Sequence, residues 1–151
     1  MNLESSPGTY VLCFQSRVNR KIDVGRFGQM SLQPGFYLYI GSAHGAGGIK
    51  ARVSRHVRRD KVKRWHIDYL RTHVRLLEVW VGYGERRSES EWSACVEALT
   101  GAEVAMAGFG ASDCPGEQHL FYFRELPSIS KFKHRCGDNI PVSKIKYGDP
   151  A

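Results

Sequence analysis

The sequence has no long apolar run and few cysteines or prolines. No stretch approaches the ~20 apolar residues of a membrane-spanning helix, and the apolar run from Val11 to Phe14 is too short for a secretory signal. The four cysteines form no CxxC pair, and only six prolines are present. We therefore expect a cytoplasmic protein with free thiols, in which neither a membrane span nor a disulfide framework holds the fold.

Acidic residues are in the minority. The chain of 151 residues contains 15 Asp and Glu against 22 Lys and Arg, which gives a formal net charge of +7. A length of this order with 42% hydrophobic residues is typical of one folded domain. The basic excess favours a polyanionic partner, with nucleic acid as the first candidate.

Hydrophobic periodicity predicts a mixture of strands and helices. Strands are predicted over 9–15, 36–40 and 76–81, and weaker ones over 21–24, followed by a hairpin, and 119–124. Helices are predicted over 49–59, 62–72 and 90–99. The fold class is therefore α/β, with a small, mostly antiparallel sheet covered by helices. The polar tail from Ile129 onward is expected to be loosely held.

One predicted helix is unusually rich in arginine. On a helix that begins near Ile49, the residues Arg52, Arg55, His56 and Arg59 lie on one face. Like charges at helical neighbours repel one another, so an anion such as phosphate would relieve this face. A basic surface in contact with solvent only is the alternative. Further basic residues in or near this segment are Lys50, Lys63 and Arg64.

The loop from Gly41 to Gly48 precedes this helix and contains four glycines. Such a loop allows sharp turns or close approach to a ligand. It lacks the lysine-threonine ending of a nucleotide-binding P-loop, so nucleotide hydrolysis is not expected.

Two tyrosine tripeptides stand before the glycine-rich loop. They are Gly8-Thr9-Tyr10 and Tyr39-Ile40-Gly41, followed by Gly47-Gly48 and Arg52. In this order the residues resemble the GIY-YIG nuclease family over about 8–99. The resemblance implies a three-stranded antiparallel sheet flanked by helices, here with an inserted hairpin. It also implies a metal-dependent endonuclease that hydrolyses phosphodiester bonds in DNA, in repair or on branched or damaged DNA.

Longer strings are similar to one prokaryotic branch of that family, which occurs alone or fused to endonuclease III-type glycosylases. The strings run over 41–43, 45–48, 65–70, 108–114 and 119–121, together with Arg52 and 55–56. They extend the resemblance over nearly the whole chain. The resemblance implies a nuclease domain over 1–127 and a polar C-terminal extension over 128–151.

The resemblance also implies roles for individual residues. Tyr10 matches the general base toward the attacking water, and Tyr39 matches the tyrosine that positions water or phosphate. Arg52 matches the arginine that stabilises charge on the phosphoryl oxygens, and His56 matches a polar residue one turn later. The metal ligand is expected to be Glu91, in preference to Glu89 or Glu97, and the ion Mg²⁺ or Mn²⁺. Candidate nucleic-acid contacts are Lys50, Arg55, Arg59, Lys63 and Arg64.

Several alternatives remain open at this level. Glu91 has the position of an acid that complements the helix dipole. A loosely spaced set, Cys114, His119, His134 and Cys136, has the chemistry of a zinc site. The chain is alternatively a catalytically weak or inactive DNA- or RNA-binding module, because no feature separates the two nucleic acids. Nothing in the sequence indicates the oligomeric state.

Overall fold

The structure is a computed structural model that describes residues 3–109, 117–136 and 141–148. Its strands are β1 (Gly8–Ser16), β2 (Arg20–Asp23), β3 (Gln29–Leu32), β4 (Gly35–Ala43), β5 (Arg75–Tyr83), β6 (Glu103–Val104), β7 (Leu120–Phe123) and β8 (Ser143–Lys146). Its helices are α1 (Gly48–Val57), α2 (His66–Arg71), α3 (Glu89–Glu97) and α4 (Ile129–Cys136), with a 3-10 turn at Gly25–Phe27.

The main sheet has six strands in the order β6-β7-β4-β1-β5-β8, and each neighbouring pair is antiparallel. The prediction of an α/β fold with a mostly antiparallel sheet and flanking helices is confirmed. The predicted number of three strands is wrong for the whole sheet. The three central strands are β4, β1 and β5. Strands β7 and β8 pair with their outer edges, because exposed backbone N–H and C=O groups favour pairing, and β6 pairs with β7.

The segment between β1 and β4 forms the predicted hairpin, in which β2 and β3 pair separately from the main sheet. Ile22 and Met30 of this hairpin are buried on the same side of the main sheet as α1 and α2. The hairpin therefore adds to the core on that side.

The two faces of the main sheet have separate cores. On one face, Tyr10, Leu12 and Phe14 of β1 pack with apolar residues of α1, α2 and the hairpin. On the other face, Val11 and Cys13 of β1 pack with apolar residues of α3 and α4. This division follows from the alternation of side chains along a strand.

The described part of the C-terminal segment packs on the domain, so the prediction of a loosely held tail is wrong for those residues. Phe132 of α4 is fully buried, with its ring centroid 5.2 Å from that of Trp80 and 5.0 Å from that of Trp92. Strand β8 pairs with β5, placing Ile145 opposite Val79. Burial of this aromatic ring, with Ile129 packed beside it in the same core, stabilises the otherwise basic helix against the sheet.

The prediction of free thiols is wrong for one pair of cysteines. Cys95 of α3 and Cys136 of α4 form a disulfide with a Cα–Cα distance of 5.5 Å. Both helices cover the same face of the sheet, which brings together residues 41 positions apart in sequence. Cys13 is free and buried.

The disulfide removes Cys136 from the zinc set, and Cys114 lies outside the described residues. Within the described ranges, no group of three or more His, Cys, Asp or Glu residues is arranged to hold a metal ion. In the same part of the chain, no helix is both long enough and apolar enough to span a membrane.

Helix α2 begins four residues later than predicted, at His66 instead of Val62. The Asp68 carboxylate accepts hydrogen bonds from the backbone N–H groups of Arg64 (2.8 Å) and Trp65 (3.0 Å), and so caps the first turn. The residues before Trp65 remain a loop because this cap fixes where the helix begins.

Candidate active site

The two tyrosines of the tripeptides lie on one face of adjacent strands. In the antiparallel pairing of β1 with β4, Tyr10 is opposite Gly41 and Leu12 is opposite Tyr39. Tyr10 and Leu12 are two residues apart and share a face, so Tyr39 is a diagonal neighbour of Tyr10. The structure therefore brings the two predicted site tyrosines together.

Gly41 is required by the position of Tyr10. A Cβ atom at Gly41 would lie 2.5 Å from Cζ of Tyr10 and closer still to its hydroxyl oxygen. Gly8 is similarly enclosed, because a Cβ there would lie 3.0 Å from Cγ1 of Ile49 and would also meet the carbonyl oxygen of Gly82. Each tripeptide glycine thus leaves space that a neighbouring group occupies.

The Tyr10 hydroxyl is hydrogen-bonded to His56 on α1, with an Oη–Nε2 distance of 2.8 Å. Tyr10 is 1% exposed and His56 is 2% exposed. Burial raises the pKa of Tyr10 above its usual value, although the charge and hydrogen bonding of Arg52 act in the opposite direction. Burial and the positive charge of Lys61 lower the pKa of His56 to about 3, despite the opposing effect of Asp68. Both groups are therefore neutral at pH 7.

A neutral His56 can accept the Tyr10 proton at Nε2 if its Nδ1 carries the ring hydrogen. Tyr39 is 9% exposed and lies with its ring centroid 6.2 Å from that of His56. Burial also raises the pKa of Tyr39 well above its usual value. His56 thus contacts Tyr10 directly and stands beside Tyr39.

Arg52 is fixed at the edge of this site. Its Nη1 donates to the backbone carbonyl of Ser42 (3.0 Å), and its guanidinium lies 4.7 Å from the centre of the Trp65 ring. A cavity of about 160 Å³ opens beside it, lined by Ala43, Gly45, Ala46, Gly48, Ala51, Arg52 and Arg55. Small side chains line most of this cavity, so a ligand oxygen could approach the guanidinium closely.

Arg55 has a structural partner, which the sequence interpretation missed. Its guanidinium donates to both carboxylate oxygens of Asp68 at 2.9 Å, and it lies 4.2 Å from the centre of the Trp65 ring. Burial alone would raise the pKa of Asp68, but hydrogen bonds from Arg55 and from the backbone of Trp65 and Arg64 lower it to about 2. Arg55 is therefore held by a buried carboxylate while it also lines the cavity beside Arg52, and its contact with nucleic acid stays a prediction.

The C-terminal end of α1 is also held by internal cations. Buried Arg71 donates to the carbonyl oxygens of His56 (2.9 Å) and Val57 (2.8 Å), and Lys61 donates to that of Arg55 (2.8 Å). These cations satisfy helix-end carbonyls and complement the helix dipole. Nothing in the local sequence distinguished Arg71 from a surface arginine.

Most of the predicted phosphate-facing side of α1 is therefore packed. His56 is buried, Arg55 is paired with Asp68, and Arg59 donates to the carbonyl oxygen of Val74 (2.9 Å). The repulsion expected along this face is relieved by a buried carboxylate and by backbone carbonyls. Of the predicted nucleic-acid contacts, Lys50, Arg59, Lys63 and Arg64 are exposed and Arg55 is half-buried.

The N-terminal end of α1 does not form a phosphate cradle. The backbone N–H of Ile49 donates to Ser6 (2.9 Å) and that of Lys50 donates to Glu4 (3.0 Å). The segment before β1 thus occupies the first amides of the helix, in agreement with the missing P-loop ending.

The structure does not bring the predicted metal ligand Glu91 to the tyrosines. Glu91 is exposed and forms an ion pair with Arg86. Glu89 lies on the other side of α3, and its charge contributes, after burial, to the raised pKa values of Tyr10 and Tyr39. The different positions of the two glutamates follow from helical geometry. Glu89 lies on the same face of α3 as the buried residues Trp92 and Ser93, whereas Glu91, two residues after Glu89, points to a different side of the helix. This periodicity was the sequence signal that favours Glu89.

Two histidines lie near Glu89, of which the sequence interpretation considered His119 only for the zinc set and gave His44 no role. His119 precedes β7 and is 1% exposed, with its Nδ1 3.7 Å from Oε2 of Glu89. His44 follows β4, and its Nε2 is buried without a hydrogen-bond partner. Burial and the charge of Arg87 lower the pKa of His44, and Glu89 opposes them. The imidazoles of His44 and His119 and the carboxylate of Glu89 therefore lie close to the contact between β4 and α3.

Together, the fold and the site define a small antiparallel α/β domain with a buried tyrosine–histidine pair, an arginine-lined cavity and a nearby glutamate. The chain belongs to the family described as Domain of unknown function DUF123, whose family profile matches residues 9–140. Comparisons with curated proteins and with solved structures found no match.

Proposed function

We propose that this protein is a metal-dependent endonuclease of the GIY-YIG kind that hydrolyses phosphodiester bonds in DNA. The observation that carries the proposal is the convergence of Tyr10, Tyr39, Arg52 and His56 at one end of the sheet. The net charge of +7 supports a polyanionic substrate. The central strands β4, β1 and β5 and helix α1 match the order that the GIY-YIG resemblance implies.

Arg52 stabilises negative charge on the phosphoryl oxygens in the transition state. Its contacts with the Ser42 carbonyl and the Trp65 ring hold the guanidinium before substrate binds. A preorganised cation of this kind loses little free energy through rearrangement during the reaction. The cavity beside Arg52 is where the scissile phosphate binds.

Tyr10 and His56 move the proton of the attacking water. The water oxygen bonds to phosphorus as its proton passes to Oη of Tyr10, and the Tyr10 proton passes to Nε2 of His56 across the 2.8 Å hydrogen bond. The P–O ester bond then breaks, and the leaving oxygen takes a proton from solvent. His56 returns its proton to Tyr10, and Tyr10 releases one to solvent, which restores both groups. Burial is the main cause of the lowered pKa of His56, and the positive charges of Lys61, Arg52 and Arg55 add to it. A phosphate beside Arg52 favours this relay because it offsets that positive charge.

Glu89 is the residue that would hold a divalent ion such as Mg²⁺ or Mn²⁺. A single carboxylate is sufficient for Mg²⁺, which keeps several waters and binds substrate oxygens. The unpartnered Nε2 of His44, near Glu89, fits a site in which further ligands arrive with the ion or substrate. When bound, the ion neutralises charge on the phosphate and the leaving oxygen.

The second candidate function is a DNA- or RNA-binding module without catalysis. The burial of Tyr10 favours it, because a side chain that is 1% exposed and has a raised pKa is a weak base toward water. In either case, the exposed side chains of Lys50, Lys63 and Arg64 contact backbone phosphates. We expect affinity to fall steeply with salt concentration.

The test is a nicking assay on supercoiled plasmid with Mg²⁺ or Mn²⁺, together with a gel-shift assay. We expect nicking by the wild type, and a loss of roughly 100-fold in the Arg52→Ala variant, as for removal of one transition-state donor. Lys63→Ala is the matched control, and it should weaken binding slightly without abolishing cleavage. Binding of DNA without cleavage of plasmid, branched or single-stranded substrates would favour the binding module.

A further inference from the structure

His119 is a buried titratable residue for which the proposed reaction has no use. It precedes β7, in which Leu120, Phe121, Tyr122 and Phe123 are all buried. Its Nδ1 lies 3.3 Å from the carbonyl oxygen of Ile40, and its Nε2 lies 3.2 Å from Oε2 of Glu117. A buried imidazole with an acceptor oxygen at each nitrogen is held in one orientation.

The same ring contacts the first turn of α3. Oε2 of Glu89 lies 3.7 Å from Nδ1 of His119. Glu117 in turn accepts a hydrogen bond from the Ser90 hydroxyl. Residues 117 and 119 therefore contact both Glu89 and Ser90 at the start of α3.

We propose that His119 is the positioning residue for the Glu89 carboxylate. This inference rests on the proposed function, in which Glu89 holds the divalent ion. His119 touches neither the ion nor the substrate. It fixes the direction of the Glu89 carboxylate through Nδ1, and Glu117 fixes the imidazole through Nε2.

A carboxylate at the start of a helix has several rotamers, and each presents its oxygens differently to an ion. Groups that orient a metal ligand typically change metal affinity or activity by about 10- to 100-fold when they are removed. Loss of the Nδ1 contact should therefore weaken metal binding in the protein alone, before any DNA is added.

Two substitutions separate the two ring nitrogens. The amide nitrogen of His119→Asn replaces Nδ1, so this variant keeps a donor near Ile40 and Glu89. The amide nitrogen of His119→Gln replaces Nε2, so this variant keeps the contact with Glu117 and loses the one with Glu89. Glu89→Gln and Glu91→Gln serve as the site variant and its matched control.

Each purified full chain is titrated with Mn²⁺ in the absence of DNA, and free Mn²⁺ is measured by electron paramagnetic resonance. A thermal unfolding curve is recorded for each variant. We expect His119→Gln to bind Mn²⁺ about 10- to 100-fold more weakly than the wild type, and His119→Asn to restore most of the affinity. Wild-type affinity in both His119 variants would overturn the inference. Equal losses in both, accompanied by equally lowered melting temperatures, would also overturn it and leave His119 a purely structural role.

The Glu89→Gln titration separates failure of this inference from failure of the proposed function. If Glu89→Gln binds Mn²⁺ like the wild type, Glu89 is not the metal ligand and the proposed function fails at that residue. If Glu89→Gln loses Mn²⁺ binding but His119→Gln does not, the proposed function stands and the positioning role of His119 fails.

Discussion

The Tyr10 hydroxyl lies 2.8 Å from Nε2 of His56, and this hydrogen bond joins the central strand of the sheet to α1 in a buried environment. It links two residues 46 positions apart. The pair requires a neutral imidazole if Tyr10 is to donate its proton, and burial with nearby cations provides that state. The consequences for stability and for catalysis can be measured separately.

The first prediction concerns the pH dependence of stability from His56. Its pKa is about 3 in the folded protein, against 6.5 when unperturbed. On acidification the unfolded state takes up the proton first, so the free energy of unfolding falls between about pH 6.5 and pH 3. From pH 7 to pH 4, this group should contribute a loss of about 3 kcal/mol.

The measurement is urea unfolding of the wild type and the His56→Gln variant at both pH values. The variant should lose less stability than the wild type over this interval, although it starts lower at pH 7. Identical losses in the two proteins would show that His56 is not held neutral by its surroundings.

The second prediction concerns the buried Asp68 carboxylate. The pKa of Asp68 is lowered to about 2. The stability that the ionised carboxylate contributes to the folded protein is therefore complete above about pH 4 and is lost as the pH falls toward 2. At pH 7, Asp68→Asn should destabilise the protein by about 3 kcal/mol, because Arg55 would lose its buried partner. Asp60→Asn, in the exposed loop after α1, is the matched control and should change stability little. Equal denaturation midpoints for the two variants would contradict the structural role of the Arg55–Asp68 pair.

Much of the fold could be predicted from the sequence, because strands and helices leave periodic patterns. The strands around Tyr10 and Tyr39, the hairpin between them and the helix that carries Arg52 were all predicted near their observed positions. The tyrosine pair was also predictable, since side-chain alternation places both residues on one face once the two strands pair.

The remaining features depend on contacts between distant segments. No periodic pattern indicates that Arg55 pairs with Asp68, or that Cys95 reaches Cys136. Phe132 has no adjacent apolar residue, and only the helical spacing of Ile129, Phe132 and Cys136 on one face of α4 indicates its burial. Glu89 could have been preferred to Glu91 from the sequence, because it lies three and four residues before Trp92 and Ser93 and so shares their buried face of the helix.

The third prediction tests the packing of Tyr10 on Gly41. In the Gly41→Ala variant the new methyl group would overlap the Tyr10 ring, which must then move away from His56. We expect a loss of about 1–3 kcal/mol in stability, as for other overpacked sites, together with a loss of any nuclease activity. Gly148→Ala is the matched control, because nothing lies within 4 Å of a Cβ at that position and it lies outside the cavity beside Arg52. If both variants behave alike in unfolding and cleavage assays, the close approach of Tyr10 to Gly41 is not important.

The fourth prediction concerns the disulfide between Cys95 and Cys136. It closes a loop with a sequence separation of 41, for which chain-entropy arguments give a stabilisation of about 4 kcal/mol. Cys95→Ser should therefore lower the denaturation midpoint, and a reducing agent should lower that of the wild type to a similar value. The variant provides the control, since the reducing agent should not affect it. A wild type that is insensitive to reduction would show that the bond contributes little to stability.

The most direct test of the proposed function is a comparison of two glutamates two positions apart on one helix. Plasmid nicking with Mn²⁺ should be measured for the wild type, Glu89→Gln, Glu91→Gln and Tyr10→Phe at equal DNA occupancy. We predict that Glu89→Gln and Tyr10→Phe lose nicking by at least about 100-fold, as expected when a main catalytic group is removed, while Glu91→Gln cuts like the wild type. Loss of nicking in Glu91→Gln with retention in Glu89→Gln, or no nicking by the wild type with either metal, would contradict the site proposed for this protein.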